Sequence, residues 1–407
     1  MSRYRLHPDG VQEEALLGHC GHARYVWNLA VEQQSWWTPA RTRRSAPSYV
    51  AQCRQLTEAR GAEPWLGAGS VNVQQQALRD FSQAVANFFA GTHQRPDYRK
   101  KHLNEGFRIT GVAIAIHVRR LNRRWGQVKV PKIGWVRFRW TRDVPDCKSY
   151  RITRDRAGRW HIAFAAVPAT IDTPGNGETV GIDRGVRITA ALSDGRKLRC
   201  PRLSRKERAK LRKAERRKAR VPKQSEAQAV ERQKIARLRA REKDLRKDWC
   251  EKVSTTIARS YDLIRLEDLR IANMTRSAKG TVEQPGKNVR QKAGLNRAIL
   301  AQGWGLLARR IEDKARGRVE KVKAAYTSLR CSACGWIDKN SRKSQAEFVC
   351  SNCGFSLNAD HNAARNVAAG QVCIADPRPR SRAGGTTRRK VSSVREPQPS
   401  GIGIPSR

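Results

Sequence analysis

Cys331, Cys334, Cys350 and Cys353 form two Cys-x-x-Cys pairs with 15 residues between them, and Asp360 follows seven residues after the last. Paired thiols at this spacing suit a tetrahedral zinc site, each pair folding into a knuckle with Gly335 or Gly354 just past its second cysteine. Four thiolates leave no open position for a reacting water, so the zinc would be structural. Chemistry would fall to carboxylates. Asp183 ends the apolar run 179–183, Glu267 ends the run 262–267, and Asp360 opens a helical segment, 360–367. If the two runs are neighbouring parallel strands, their ends meet and three carboxylates can converge on two divalent cations. Oxygen donors favour Mg²⁺ or Mn²⁺ over zinc. Such a site hydrolyses phosphodiesters: the ions activate a water, stabilise the leaving oxygen and neutralise charge on the scissile phosphate. A helix-start position helps keep Asp360 ionised.

The charge of the whole chain names the substrate class. Its 407 residues carry 83 Lys and Arg against 36 Asp and Glu, a net +47. That excess repels itself in a compact state unless a polyanion neutralises it, so nucleic acid is the expected partner, more than one strand of it. No apolar run approaches the length of a membrane span and the opening MSRYRLHPDG has no signal-peptide core, so a cytoplasmic, nucleoid-associated location is expected. Cys20, Cys53, Cys147, Cys200, Cys250 and Cys373 follow no pattern, as reduced thiols do.

The elements that must position these groups follow in order. A short strand over 3–6 ends at the turn His7-Pro8-Asp9-Gly10, and helical periodicity then runs over 11–34, 48–60 and 70–90. In the last segment Val73, Ala77, Phe81, Val85 and Phe88 make an apolar stripe. Asn72, Gln75, Gln76 and Arg79 are assigned to its polar side, as residue types that reach base edges. Strand-rich runs over 107–118, 127–140, 149–154 and 159–167 suggest a small antiparallel barrel or sandwich, with the helices inserted after its first strand. The stretch 174–177 reads as a linker.

Three strands joined by tight turns follow, at 179–183, 188–192 and 197–200, compatible with the opening of an RNase H-like sheet. Residues 202–223 then carry 12 Lys and Arg against two Glu, and a second helix shows a stripe of Ile235, Leu238, Leu245, Trp249, Val253 and Ile257. One-sided charge suits a track along a nucleic-acid duplex. A polar stretch over 275–292, one helix over 295–315 and a strand over 319–326 lead into the cysteines.

The segments VGIDRGV, IRLEDLRIANM, GLNRAILAQGW, YTSLRCSACG, CSNCG and ADHNAARNV resemble TnpB, the RNA-guided nuclease of bacterial insertion sequences, and the compact type V CRISPR effectors descended from it. The resemblance is strong over 178–368 and looser before it, through RYRLHPDGVQEEALL, GHARYVWNLAVEQ and VKVPKIGWVRF. It departs at Glu251-Lys252-Val253-Ser254, where relatives often carry His-Lys-x-Ser.

The resemblance implies a multidomain α+β protein. A wedge-like β-barrel would span 1–10 and 105–175 and a helical recognition lobe 11–104. A RuvC-like nuclease would span 178–330 and 354–370, interrupted by a zinc ribbon at 331–353, and a basic disordered tail would occupy 374–407. It implies Asp183, Glu267 and Asp360 as the catalytic triad on Mg²⁺ or Mn²⁺, zinc on the four cysteines, and guide RNA as a further cofactor. Nucleic-acid contacts are expected from Asn72, Gln75, Gln76, Arg79, Lys132, Arg205, Arg212, Arg216 and Arg297.

The residues themselves suggest a basic, metal-dependent nuclease, and the resemblance implies an RNA-guided DNA endonuclease that reads a short target-adjacent motif, pairs guide RNA with one strand and cuts single- and double-stranded DNA at one site. A homodimer is among the assemblies that stay open. So do three rival classes: a guide-independent, structure-selective nuclease, a zinc-ribbon binding protein, and a transposase that joins DNA ends.

Overall fold

The structure is a computed structural model that describes residues 2–37, 46–111, 117–167 and 169–370. The expected tail, with Cys373, lies outside these residues.

Strand β1 (Ser2–His7) stops at Pro8, and Asp9 caps helix α1 (Gly10–Trp36) by accepting from Gln12 N at 2.8 Å while the Gln12 side chain returns a bond to Asp9 N. Helices α2 (Tyr49–Ala62), α3 (Pro64–Ala68) and α4 (Val71–Phe89) follow before the chain returns to strands β2 (Gly106–Thr110), β3 (Val118–Arg120), β4 (Trp125–Val130), β5 (Gly134–Arg139), β6 (Ser149–Arg154) and β7 (Trp160–Phe164). The helices are therefore inserted between β1 and β2. The strands form one antiparallel sheet in the order β2-β6-β7-β1-β5-β4-β3. Strand period two puts Tyr4 and Leu6 on one face, where Phe138 and Phe164 each meet the Tyr4 ring edge-on at 5.5 Å. The expected barrel is here a sheet with two edges, since β2 and β3 do not pair among the described residues.

The second part is built on a five-stranded sheet of order β10-β9-β8-β11-β12. Strands β8 (Thr179–Asp183), β9 (Ala190–Leu192) and β10 (Lys197–Leu198) run antiparallel, whereas β11 (Leu263–Glu267) and β12 (Val319–Val322) continue parallel to β8. Between β10 and β11 lie α5 (Arg205–Arg220) and α6 (Glu226–Ser260). Only the C-terminal part of α6 seals the sheet: Ile257 and Ala258 are buried, while Ile235, Leu238 and Leu245 are half-buried. After the short α7 (Ile271–Met274), the single helix expected over 295–315 is two, α8 (Val289–Gln302) and α9 (Trp304–Lys314). Gly303 breaks them with φ of 74°, and a Cβ there would stand 2.8 Å from the Arg246 side chain. The hairpin β13 (Glu347–Val349) and β14 (Ser356–Asn358) precedes α10 (Ala359–Ala368).

Candidate active site

Parallel pairing of β8 with β11 aligns Ile182 with Leu266, so Asp183 and Glu267 emerge side by side at the strand ends. Helix α10 then brings Asp360 over them. It can do so because β8 carries glycine where the helix crosses: a Cβ on Gly181 would lie 2.2 Å from both Ala364 O and Ala368 N. Ala363, Ala364 and Val367 are buried against the sheet, and Asn358 caps the helix by accepting from His361 N.

The three carboxyls feel one another. Burial first, then the negative charges of Glu267 and Asp360, push Asp183 up to about 8. Burial also raises Glu267, which Arg184 opposes. Arg184 is itself buried, gives its backbone N–H to Glu267 Oε2 at 3.4 Å and its guanidinium to the Glu267 carbonyl, and leaves its Nε without a partner. Arg342, from the segment between the two cysteine pairs, reaches Asp360 at 3.6 Å.

The first knuckle is tied to the same carboxyls. The Thr327 hydroxyl donates to Glu267 Oε1 at 3.2 Å. From α10, Asn366 Nδ2 donates to Thr327 O at 2.9 Å and to Arg330 O at 2.7 Å. Asn362 Nδ2 donates to Arg330 O at 2.7 Å, and Asn362 Oδ1 accepts from Ser332 N at 2.9 Å. Both asparagines are buried, one turn apart on one helix face. Sequence reading missed Thr327, Asn362, Asn366, Arg184 and Arg342. The four-residue spacing of the asparagines was the available signal, but it does not name their backbone partners.

The four cysteines fit zinc. Their sulfurs all lie within 4.8 Å of one another, with Cys331 to Cys353 at 3.8 Å and Cys334 to Cys350 at 3.6 Å. Those are near the edge of a tetrahedron with Zn–S bonds of about 2.3 Å and too long for disulfides. The knuckles repeat one geometry. Gly335 N donates to Cys331 O and Gly354 N to Cys350 O, both at 3.0 Å, and both glycines have positive φ. The Trp336 backbone N–H holds the Cys334 thiol down to about 6, while against the Phe355 backbone N–H the neighbouring sulfur of Cys334 pushes Cys353 up to about 12.

The expected nucleic-acid contacts divide. Gln76 does not lie on a wet face: it is buried, because α4 packs more of its circumference against α1 and β2 than the apolar stripe alone covers. Asn72 spends its amide on the backbone of Thr110, donating at 2.9 Å and accepting at 3.1 Å. Gln75 is half-buried; Arg79 is exposed, its guanidinium 5.9 Å from the Tyr49 ring centroid. Lys132 is exposed and donates to Ala68 O at 2.7 Å. Arg205, Arg212, Arg216 and Arg297 are exposed. Both acids of α5 are engaged by α6, Glu207 with Arg241 and Glu215 with Arg239 at 2.9 Å, so the exposed basic residues of α5 face no unpaired acid of their own helix.

Comparison with known proteins now bears on this geometry. A family model described as "Probable transposase" matches residues 161–278, one described as "Cas12f1-like, TNB domain" matches 304–367, and one described as "Helix-turn-helix domain" matches 2–42. A protein of Escherichia coli (strain K12) named "Putative RNA-guided DNA endonuclease InsQ" is 34% identical over 384 residues that cover 92% of each chain. The chain belongs to the TnpB family. A Streptomyces pristinaespiralis relative of the same named activity is 31% identical over 420 residues, 99% of this chain and 97% of its own. The TnpB-family chain shares its mixed α+β fold with a solved Cas12f1–sgRNA–target DNA complex, at a TM-score of 0.51 and 13% identity, over 89% of this chain and 83% of that one. Within 2–37 the part matched as helix-turn-helix is a strand and one unbroken helix. No helix among the described residues is long and apolar enough to cross a membrane.

Proposed function

We propose that this chain is an RNA-guided DNA endonuclease with a single RuvC-like site. The observation that carries the reading is the meeting of Asp183, Glu267 and Asp360 at the end of a parallel strand pair, within a protein of net charge +47. Full-length similarity to proteins named for that activity supports it. The domains would be those expected above: a wedge at 1–10 and 105–175, a recognition lobe at 11–104, and a nuclease at 178–330 and 354–370 around the ribbon.

The donor set fits a hard divalent cation: three carboxyls confined together, two of them resisting ionisation through burial. Bound there, Mg²⁺ or Mn²⁺ would activate water and stabilise the leaving oxygen. The remaining work belongs to the protein. Arg184 holds the Glu267 backbone and Thr327 its carboxylate, Arg342 restrains Asp360, and the outer face of α5 presents cations to the phosphates of a guide–target duplex. Guide RNA and target DNA are thus the proposed partners.

With one site, both DNA strands must visit it in turn. Asp183→Ala should abolish cutting of both strands and leave RNA binding intact; residual cutting of one strand would sink the single-site reading. Cleavage without co-purified RNA would favour a guide-independent nuclease. The match of 161–278 to a "Probable transposase" keeps end-joining as the second reading, for which strand-transfer products are the test.

A further inference from the structure

Residues 98–104 connect the helical insertion to β2, and between them and the β2–β6 edge lies a cavity of about 290 Å³ lined by Tyr98, Arg99, Lys100, Asn104, Arg151 and Thr153. Its walls are pinned. Trp27 Nε1 donates to Asp97 O at 2.9 Å, and Asn28 accepts from Arg99 N at 2.8 Å and donates to Arg99 O at 3.1 Å. His102 N donates to Glu105, whose carboxylate is also bound to Arg24 at 2.9 Å. A preformed cavity loses less on binding than one that must be ordered.

Its charge is unbalanced. Asp80 is shared by Arg151 at 2.6 Å and Arg108 at 3.5 Å, and it is also the acid whose field reaches Arg99. The Arg99 guanidinium lies over the Trp27 ring, 3.7 Å from its centroid. With Lys100, three cations line the cavity, and no carboxylate is among its lining residues; Glu105 nearby is committed to Arg24. Tyr98 stands at the rim, 48% exposed. Cations sunk in a concavity beside an exposed ring match an anion carried on a stacking group. The volume, near the lower end of small-ligand pockets (about 300–1,000 Å³), exceeds what a lone phosphate needs.

We propose that this cavity holds one nucleotide step of a polynucleotide strand, its phosphodiester against Arg99, Lys100 and Arg151 and its base against Tyr98. The site rests on the reading that the chain works on nucleic acid, but not on cleavage. RNA and DNA share the phosphodiester and the base that this cavity would hold, and the two arms of the experiment separate them.

Tyr98→Ala and Lys100→Gln alter exposed side chains, and Arg99→Gln removes the half-buried cation. Binding of the purified protein to its co-purified guide RNA, and of the protein–RNA complex to target DNA, is measured over a salt series, with thermal unfolding of each variant alongside. Lys100→Gln should reduce the slope of log affinity against log salt by about 0.7 for a single strand. Tyr98→Ala should weaken binding about tenfold, the loss expected of one stacked base. Effects in the RNA arm assign the site to the guide, and effects confined to the DNA arm assign it to the target. Wild-type slope and affinity for Tyr98→Ala and Lys100→Gln in both arms overturn the proposal, whatever Arg99→Gln does to folding. A protein that shows these changes yet never cuts DNA loses the nuclease reading and keeps this site.

Discussion

Asn366 donates its side-chain amide to the carbonyl oxygen of Thr327 at 2.9 Å, and the hydroxyl of that threonine donates to Glu267. One buried hydrogen bond thus joins the helix that carries Asp360 to the segment that enters the first cysteine knuckle and touches a second carboxylate. The four-cysteine ribbon and the carboxylate cluster are parts of one hydrogen-bonded unit.

Removing that link should loosen the site before the fold. Asn366→Ala strands the carbonyl of Thr327, while that of Arg330 keeps its bond from Asn362, a cost of about 1–3 kcal/mol for the one buried group left unpaired. A melting temperature lowered by a few degrees is expected, with cleavage reduced far more than guide-RNA binding. Equal losses in cleavage and RNA binding would show that Asn366 serves general stability alone.

Zinc should matter to catalysis through the same contacts. Cys350→Ser takes one ligand from the four-thiol set and should lower zinc content, free the 327–332 segment and misplace both Glu267 and Asp360. Metal analysis paired with cleavage assays tests this. A variant that lost its zinc and kept full Mg²⁺-dependent cleavage would break the coupling.

The carboxylate cluster should make the magnesium-free protein less stable as pH rises. Burial, then Glu267 and Asp360, hold the Asp183 carboxyl up to about 8, so between the ordinary carboxylate range and that value the folded state keeps a proton the unfolded chain has released. Its contribution is therefore fully present below the unfolded value and is lost as pH climbs through the folded one. Asp183→Asn removes the ionisation. The variant and wild type should melt alike near about pH 4, and the variant should gain relative stability toward about pH 8. Parallel melting curves across that range would refute the assignment.

At Gly181 the predicted effect is steric. Gly181→Ala puts a methyl 2.2 Å from two backbone atoms of α10, which cannot swing aside as a side chain can. A loss of about 1–3 kcal/mol or more is expected, together with loss of cleavage as Asp360 is lifted from Asp183. Chemical denaturation gives the first quantity and a plasmid-cutting assay the second; a variant as stable and active as wild type would mean that α10 can shift without cost.

The sequence by itself determined the parts whose signals are local. Cysteine spacing marks the knuckles because a Cys-x-x-Cys turn closes within a few residues, and the apolar runs that end at Asp183 and Glu267 declare themselves as buried strands. Net charge and motif resemblance named the substrate and the family. The helical insertion was legible too, since period two gives way to period 3.6 and then returns. Tertiary structure decided which faces are wet and which distant backbone each side chain meets. Gln76 is polar yet buried because α4 packs on more than one neighbour, and an apolar stripe reports only part of a helix's contact surface. Gly303 divides a run whose periodicity continues across it, because its backbone takes the left-handed φ of 74° that ends one helix and starts the next. Asn362 and Asn366 read as ordinary helix residues until the first knuckle lies beside them. A hydrogen bond to a backbone carbonyl 32 to 39 residues away leaves no pattern in composition or spacing, because its partner is any residue that the fold brings near.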